Sequence, residues 1–272
     1  MPDALEALRF RFAPSGIRLP DLPPALSDAP SVVAMSLPKA GSTLLFALLQ
    51  DLAPQAGLAY VSLQDFFFIN GLRLTEQPHE AGTLFRPRGY CYGGFRGPPP
   101  YAIPILGAAR CVVLVRDPRD MAVSHWYSIT QSHVVPKAEQ GEHFMAKARS
   151  QALERGKDAH VLQAARGLDA QYDRLLGSGI MHGSQTAVFR YEDVIFRKRE
   201  WVEAICAWFG WAIPQEARDR IADRHDVRPA RPDPSAHIRQ VAPGNHREEL
   251  GEKQRAQIDR ILARWLTMFG YA

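Results

Sequence analysis

The sequence predicts an α/β fold built on a parallel β-sheet with helical crossovers, and three observations predict it. Short apolar runs alternate with longer segments of helical period along the 272 residues. The run Cys111-Val112-Val113-Leu114-Val115 is continuous and rich in β-branched residues, the pattern of a strand covered on both faces. The run Val32-Val33-Ala34-Met35 leads through a glycine-containing turn into Leu44, Leu45, Leu48, Leu49 and Leu52 at helical spacing, which reads as strand, turn and helix.

In chain order, residues 1–30 hold six prolines and are expected to form an irregular arm ahead of one domain over 31–272. The first βα unit covers 32–52. Leu58–Leu63 reads as a second strand leading into Asp65-Phe66-Phe67-Phe68. Residues 70–104, rich in Gly, Pro and Arg, carry no regular period, and a loop that long is usually functional. After the strand at 111–115, Asp117 can cap a helix whose first position is Pro118, with Met121, Val123, Ser124 and Trp126 along it. Residues 137–178 read as polar helix, Thr186–Phe189 as a short strand, and Trp201, Ile205, Trp208 and Phe209 as a helix face. Ile258, Ile261, Leu262, Trp265, Leu266 and Phe269 form the apolar stripe of a last helix, which is core packing. Ligands of parallel sheets sit beyond the C-terminal strand ends. Lys39, Asp65, Arg116 and Tyr191 each follow a predicted strand, so they share that edge.

Composition narrows the function classes. With 46% hydrophobic and 23% charged residues, the chain can fill a substantial core. A net charge of +4 suits an anionic nucleotide but is no sign of a nucleic-acid surface. The one dense basic run, Arg197-Lys198-Arg199, reads as a solvated helix start. Three cysteines far apart, Cys91, Cys111 and Cys206, make neither a disulfide framework nor a metal site and point to a reducing cytoplasm. No secretory leader is visible, and no apolar run approaches the ~20 residues that span a bilayer.

The chemistry starts at Ser36-Leu37-Pro38-Lys39-Ala40-Gly41-Ser42-Thr43. A strand that turns tightly into a helix N-terminus binds anions, because first-turn N–H groups lack intrahelical partners and the helix dipole favours negative charge. Lys39 adds a full positive charge, and Ser42 and Thr43 add hydroxyls. The ordinary phosphate-binding P-loop places its lysine after the last glycine, whereas Lys39 precedes Gly41. A second signal is Arg116 with Ser124. Arg116 leaves a strand end and Ser124 lies two turns into the next helix, so both could reach one phosphate. The competing reading pairs Arg116 with Asp120 at the helix start.

The lysine loop resembles the 5′-phosphosulfate loop of the sulfotransferase family, roughly P-K-[SA]-G-[ST]-[ST]. The segment Val112–Ser124 resembles that family's 3′-phosphate motif through its R-[ND]-P-[RK]-D core and the following A-V-S. Phe189-Arg190-Tyr191-Glu192-Asp193 is similar to its Y-E-D segment, and 239–247 to its late R-K-G-x-x-G-D-W-[KR] loop. Arg239 and Gly244 keep their places there, while Gln240, Val241, Asn245 and His246 depart.

The resemblance implies a P-loop-like three-layer fold of about five parallel strands flanked by helices. The implied donor is 3′-phosphoadenosine-5′-phosphosulfate (PAPS), with PAP as product and no metal. It assigns Lys39 to the leaving phosphate oxygen, and Ala40, Gly41, Ser42 and Thr43 to the 5′-phosphate. Arg116, Ser124, Arg239 and Gly244 fall to the 3′-phosphate, Tyr191 to the adenine end, and 235–250 to a closing loop. Family members of the eukaryotic secretory pathway are typically membrane-anchored, and by that contrast this chain reads as soluble. The acceptor hydroxyl needs a base. The K-T-H segment of cytosolic members is missing, and Asp65, before Phe66 and Phe67, resembles the glutamate placement of heparan-type members. His79 and Glu80 are the alternatives, and a helix cap is the structural reading of Asp65. The stretch 89–97, within an acceptor-pocket loop at 70–104, offers Tyr90, Tyr92 and Phe95 for stacking and Arg96 for an anionic group. A small-molecule or carbohydrate hydroxyl is the expected acceptor. An ATP-dependent phosphotransferase and a non-catalytic nucleotide-binding module are the competing functions.

Overall fold

A computed structural model describes residues 10–132, 139–181, 184–228 and 241–272. Among these the chain forms a two-stranded hairpin, β1 (Phe10–Phe12) with β2 (Arg18–Pro20), and a five-stranded sheet. The sheet strands are β3 (Val32–Ser36), β4 (Ala59–Ser62), β5 (Tyr90–Phe95), β6 (Arg110–Val115) and β7 (Thr186–Arg190). Their order is β4-β5-β3-β6-β7, and every pairing is parallel.

The helices are α1 (Ser42–Gln55), α2 (Leu63–Ile69), α3 (Pro118–Tyr127), α4 (Glu139–Arg155), α5 (Lys157–Gly177), α6 (Tyr191–Val194), α7 (Lys198–Phe209), α8 (Gln215–Arg224), α9 (His246–Glu249) and α10 (Glu252–Met268). Side chains alternate between the faces of a strand, so β3 and β6 feed two cores. Val32, Ala34, Val112 and Leu114 pack with Leu45, Leu48, Leu49 and Leu52 of α1, Trp201 and Ile205 of α7 and Ile221 of α8. Val33, Met35, Val113 and Val115 pack with Met121 of α3, Leu168 and Tyr172 of α5, and Ile258, Leu262 and Trp265 of α10. The helix after β3 covers one face and the helix after the neighbouring β6 covers the other. The strand order therefore switches direction between them, and the crevice that opens there is where such sheets bind ligands.

Three expectations are corrected. The segment 70–104 is not one loop: it contains β5, a strand between β4 and β3. Its sequence YCYGGF hides the strand because Gly93 and Gly94 interrupt the apolar pattern. Val33 and Met35 pair with Tyr92 and Phe95, so β5 carries one extra residue, a bulge. Gly94 sits there at φ 77°, and a Cβ would lie 2.8 Å from Ser62 Cβ and closer still to its hydroxyl. The arm is not irregular throughout, since 10–20 form the hairpin and Leu19 is buried in the core; three-residue strands carry no readable period. The helix expected over 137–178 is divided at Gly156, φ 77°.

Candidate active site

β3 ends in a turn that the lysine loop shapes from within. Lys39 takes φ 68° and Gly41 φ 93°. A non-glycine residue in the left-handed region is a strained position typical of binding sites. Gly41 is required twice over: its φ is positive, and a Cβ would stand 2.8 Å from the Tyr191 ring. The N–H of Ala40 closes the turn on Leu37 O. Gly41 is the N-cap of α1 and has no side chain to satisfy the first turn, so the N–H groups of Ser42 and Thr43 remain available to an anion. Burial, then the guanidinium groups of Arg116 and Arg96, pull the Lys39 ammonium down to about 8.

Arg116 leaves β6 and is buried. Its Nη1 donates to Lys39 O at 3.2 Å, its guanidinium lies 4.5 Å from the centre of the Tyr191 ring, and its Nε is buried without a hydrogen-bond partner. Asp117 caps α3 through Arg119 N–H and Pro118 occupies the first turn, as expected from the sequence. Asp120, one turn on and 0% exposed, stands 3.6 Å from Arg116. The pairing weighed as an alternative to a phosphate role is therefore present alongside the site. Asp120 also accepts the N–H groups of Gly244 at 2.6 Å and His246 at 3.0 Å, and His246 Nδ1 stands 2.7 Å from it. Burial opposes its ionisation, but His246, Arg116 and the two backbone donors outweigh it and hold the carboxyl at about 2. The tie from Asp120 to the late loop was missed in the sequence. The signal was that loop's departure from the family pattern at His246, the residue that makes the bond. Tyr191 donates to Val241 O at 2.9 Å. Arg239 lies outside the described residues.

Asp65 stands on α2, where Ser62 caps the helix. One Asp65 oxygen accepts the Ser62 hydroxyl at 2.7 Å and the other is paired with Arg96. Arg96 N–H donates to Gln64 Oε1 at 2.7 Å, and its guanidinium lies over Phe46. The cap of α2 is therefore Ser62 and not Asp65, which sits in the first turn and faces a cleft. Tyr92 and Phe95 are corrected. Both are 0% exposed in β5, Tyr92 donates to Leu84 O at 3.0 Å, and both pack on Phe85, so neither ring presents a face to a ligand. Arg96 lines the cleft that holds Arg116 and Ser124 rather than the larger cavity. His79 is exposed on a short 3₁₀ turn, and neither it nor Glu80 lines either cavity. The short turns around it pull it away from the strand edge. Lys198 is also corrected: it is buried, with Nζ 2.6 Å from Asp226, and is not part of a solvated face.

Two cavities meet at Lys39. A cleft of about 680 Å³ is lined by Gly41, Ser42, Thr43, Asp65, Arg96, Arg116, Ser124 and Tyr191. A larger cavity of about 840 Å³ lies on the other side, walled by Phe68, Leu72, Met121, Ile129, Met145 and Leu168, with His125 and His160. Lys39, Pro38, Phe68, Leu72, Leu74 and Gln171 border both. Among the described residues no group of three or more His, Cys, Asp or Glu could hold a metal, and no helix is long and apolar enough to cross a membrane.

Comparison with known proteins adds the family. No curated relative matches the chain. The mouse sulfotransferase SULT7A1 complexed with PAP is similar in structure, with TM-score 0.54 at 15% identity over 94% of this chain and 95% of that one. Retinol dehydratase in complex with androsterone and inactive cofactor PAP gives TM-score 0.53 at 15% identity, over 97% and 91%. The same protein in a complex with retinol and PAP gives 0.52 at 16%, over 97% and 91%. These likenesses establish a shared fold. The sulfotransferase domain model matches residues 104–270, more than half of the sequence, and the chain belongs to the sulfotransferase family.

Proposed function

We propose that this chain transfers the sulfuryl group of PAPS to a hydroxyl of a small-molecule acceptor by in-line displacement, with PAP as the other product. The observation that carries the reading is the junction at Lys39: a cation-lined cleft and a largely apolar cavity share one lysine. In-line transfer needs a donor on one side of the reacting centre and an acceptor on the other.

The residues present fit a polyanionic donor. Lys39, Arg96 and Arg116 converge closely enough that the two guanidiniums lower the affinity of the lysine for its proton. Arg116 Nε is buried with no partner, a state that a bound anion relieves. The donor supplies an activated sulfuryl group; the chain supplies position and charge. The hydroxyls and N–H groups of Ser42 and Thr43, with the N–H of Gly41 in the turn after Ala40, hold the 5′-phosphate. Arg116 and Ser124 hold the 3′-phosphate, with the 235–250 loop closing over it through Gly244 and Arg239. The Tyr191 ring supports Arg116 near the nucleotide. As the acceptor oxygen bonds to sulfur, the bond from sulfur to the phosphate oxygen breaks, and Lys39 neutralises the charge left there. Asp65 takes the hydroxyl proton; each carboxylate oxygen can accept more than one hydrogen bond, so its contacts to Ser62 and Arg96 leave room for a third.

On the acceptor side, a cavity walled by Phe68, Leu72, Met121 and Leu168 favours an apolar small-molecule alcohol over a carbohydrate. Residues 71–76, from the segment expected to form the acceptor pocket, supply part of that wall.

The test is the melting temperature with PAP against ADP and ATP. At a hundredfold excess over Kd a ligand stabilises by about 2.7 kcal/mol, roughly 5 °C for a chain of this size. A shift specific to PAP supports the donor site. An equal shift with ADP would remove the 3′-phosphate assignment and favour the phosphotransferase.

A further inference from the structure

Arg116 is held at its peptide bond as well as at its side chain. Its carbonyl accepts the Tyr172 hydroxyl at 3.1 Å, and the next N–H, that of Asp117, donates to Glu192 Oε1 at 2.9 Å. Both polar atoms of the 116–117 peptide are therefore bonded to side chains, one from α5 and one from α6. Glu192 directly follows Tyr191, whose ring lies 4.5 Å from the Arg116 guanidinium. A single carboxylate thus ties the end of β6, which carries Arg116, to the start of α6, which carries Tyr191.

Glu192 is itself anchored. Its Oε2 accepts the Tyr271 hydroxyl at 2.7 Å. Tyr271, beyond α10, is gripped twice more: its carbonyl accepts Arg119 Nη2 at 2.9 Å, and its ring centre lies 4.5 Å from the Arg190 guanidinium. Arg119 is in turn bonded to Asp117. The ends of both strands therefore meet at Tyr271.

Arg116 and Tyr191 border the cleft, whereas Glu192 and Tyr271 border neither the cleft nor the larger cavity. The second pair is set back from the ligand space and can act on a nucleotide only through the first. A guanidinium that must meet a phosphate oxygen at hydrogen-bond distance depends on where its strand end stands.

We propose that Glu192 is a positioning residue for donor selection. By joining the Asp117 N–H to Tyr271, it holds Arg116 and Tyr191 in the register that grips a 3′-phosphate. The proposal rests on the donor-site reading above.

The experiment measures Kd by titration calorimetry for PAP and for 5′-AMP, which is the same nucleotide without the 3′-phosphate. The wild type is expected to bind PAP about a hundredfold tighter, the gain from charge-assisted hydrogen bonds to that phosphate. Glu192→Ala should lower the ratio about tenfold by weakening PAP far more than AMP; a merely loosened fold would weaken both alike. Glu192→Gln can still accept from Asp117 and can donate to the Tyr271 oxygen, so it should restore most of the ratio. Tyr271→Phe keeps the ring on Arg190 and removes only the hydroxyl. It should lower the ratio about threefold, and combining it with Glu192→Ala should add little. Tyr271→Phe and Glu192→Gln carry the test if Glu192→Ala does not fold. The proposal is overturned by a wild-type ratio in Glu192→Ala, by Glu192→Gln doing as much damage as Glu192→Ala, or by an unchanged ratio in Tyr271→Phe. A wild type that binds PAP no better than AMP would instead remove the 3′-phosphate reading and this proposal with it.

Discussion

Replacing Lys39 by Met should make the empty protein more stable while weakening its grip on PAP. The lysine ammonium falls from 10.5 to about 8 in the folded chain, chiefly through burial and then through Arg116 and Arg96. At 1.36 kcal/mol per pKa unit this is about 3 kcal/mol of cost to hold the charged form in place. Solvent still reaches the half-buried side chain, so about 2 kcal/mol is the fair expectation. The sign follows from proton binding. Between about pH 8 and 10.5 the unfolded chain keeps the proton that the folded chain has lost, so wild-type stability rises with pH in that window. Below pH 8 the full cost is present. Lys39→Met removes it at pH 7 and keeps the same backbone strain, so the empty variant should melt about 4 °C higher. The difference should shrink as pH approaches 10. Calorimetry of both proteins from pH 6.5 to 10, with and without PAP, reads both arms. A variant no more stable than wild type at pH 7, or a gap that does not close with rising pH, would refute the assignment of Lys39 as a charge held at a cost. A PAP shift as large in the variant as in the wild type would remove it from the donor site.

Two further substitutions test the surrounding carboxylates. Asp65→Asn should lower kcat by about 10²–10⁴ with the PAP shift retained; undiminished turnover would leave Asp65 as the helix-cap partner of Ser62 only. Asp120→Asn should cost about 2 kcal/mol at pH 7, since the carboxyl is held at about 2 against an ordinary 3.8. A depressed carboxylate contributes stability above the unfolded value and loses it as pH falls through the folded one. The gap between wild type and variant in urea denaturation should therefore be constant near neutrality and close between pH 4 and 2. A gap independent of acid would assign the loss to packing.

The parts of the fold that could be read in the sequence are those in which one short segment carries both pattern and chemistry. Val32–Thr43 and Cys111–Ser124 each contain a strand, a turn and a helix start, and the structure sets them side by side with Arg116 donating to the Lys39 carbonyl. β5 was not readable, because its two glycines answer to residues elsewhere: Gly93 makes room for the Tyr60 ring, and Gly94 for Ser62. The same cause hid the fate of Tyr92 and Phe95. Aromatics in a glycine-rich stretch look available to a ligand until a neighbouring strand buries them. The His125–His160 contact joins residues 35 positions apart on helices with no shared motif, so no spacing in the sequence announces it.

The site sets three cations, Lys39, Arg96 and Arg116, against two carboxylates, Asp65 and Asp120. Each carboxylate is itself tied down, Asp65 by the cap residue Ser62 and Asp120 by Gly244 and His246. An excess of buried positive charge destabilises a folded chain, and evolution removes such a cost where nothing offsets it. In the proposed reading a bound anion offsets it. The guanidiniums are already fixed by Tyr191, Phe46 and the Lys39 carbonyl, the preorganisation that the proposed transfer would use as charge develops. His246 fits the same logic. Its side chain replaces an aromatic of the family pattern, yet bonds the one carboxylate that also faces Arg116. The late loop and the strand-end arginine are thereby linked through Asp120, and a second time through Tyr191, which stacks on Arg116 and donates to Val241 O.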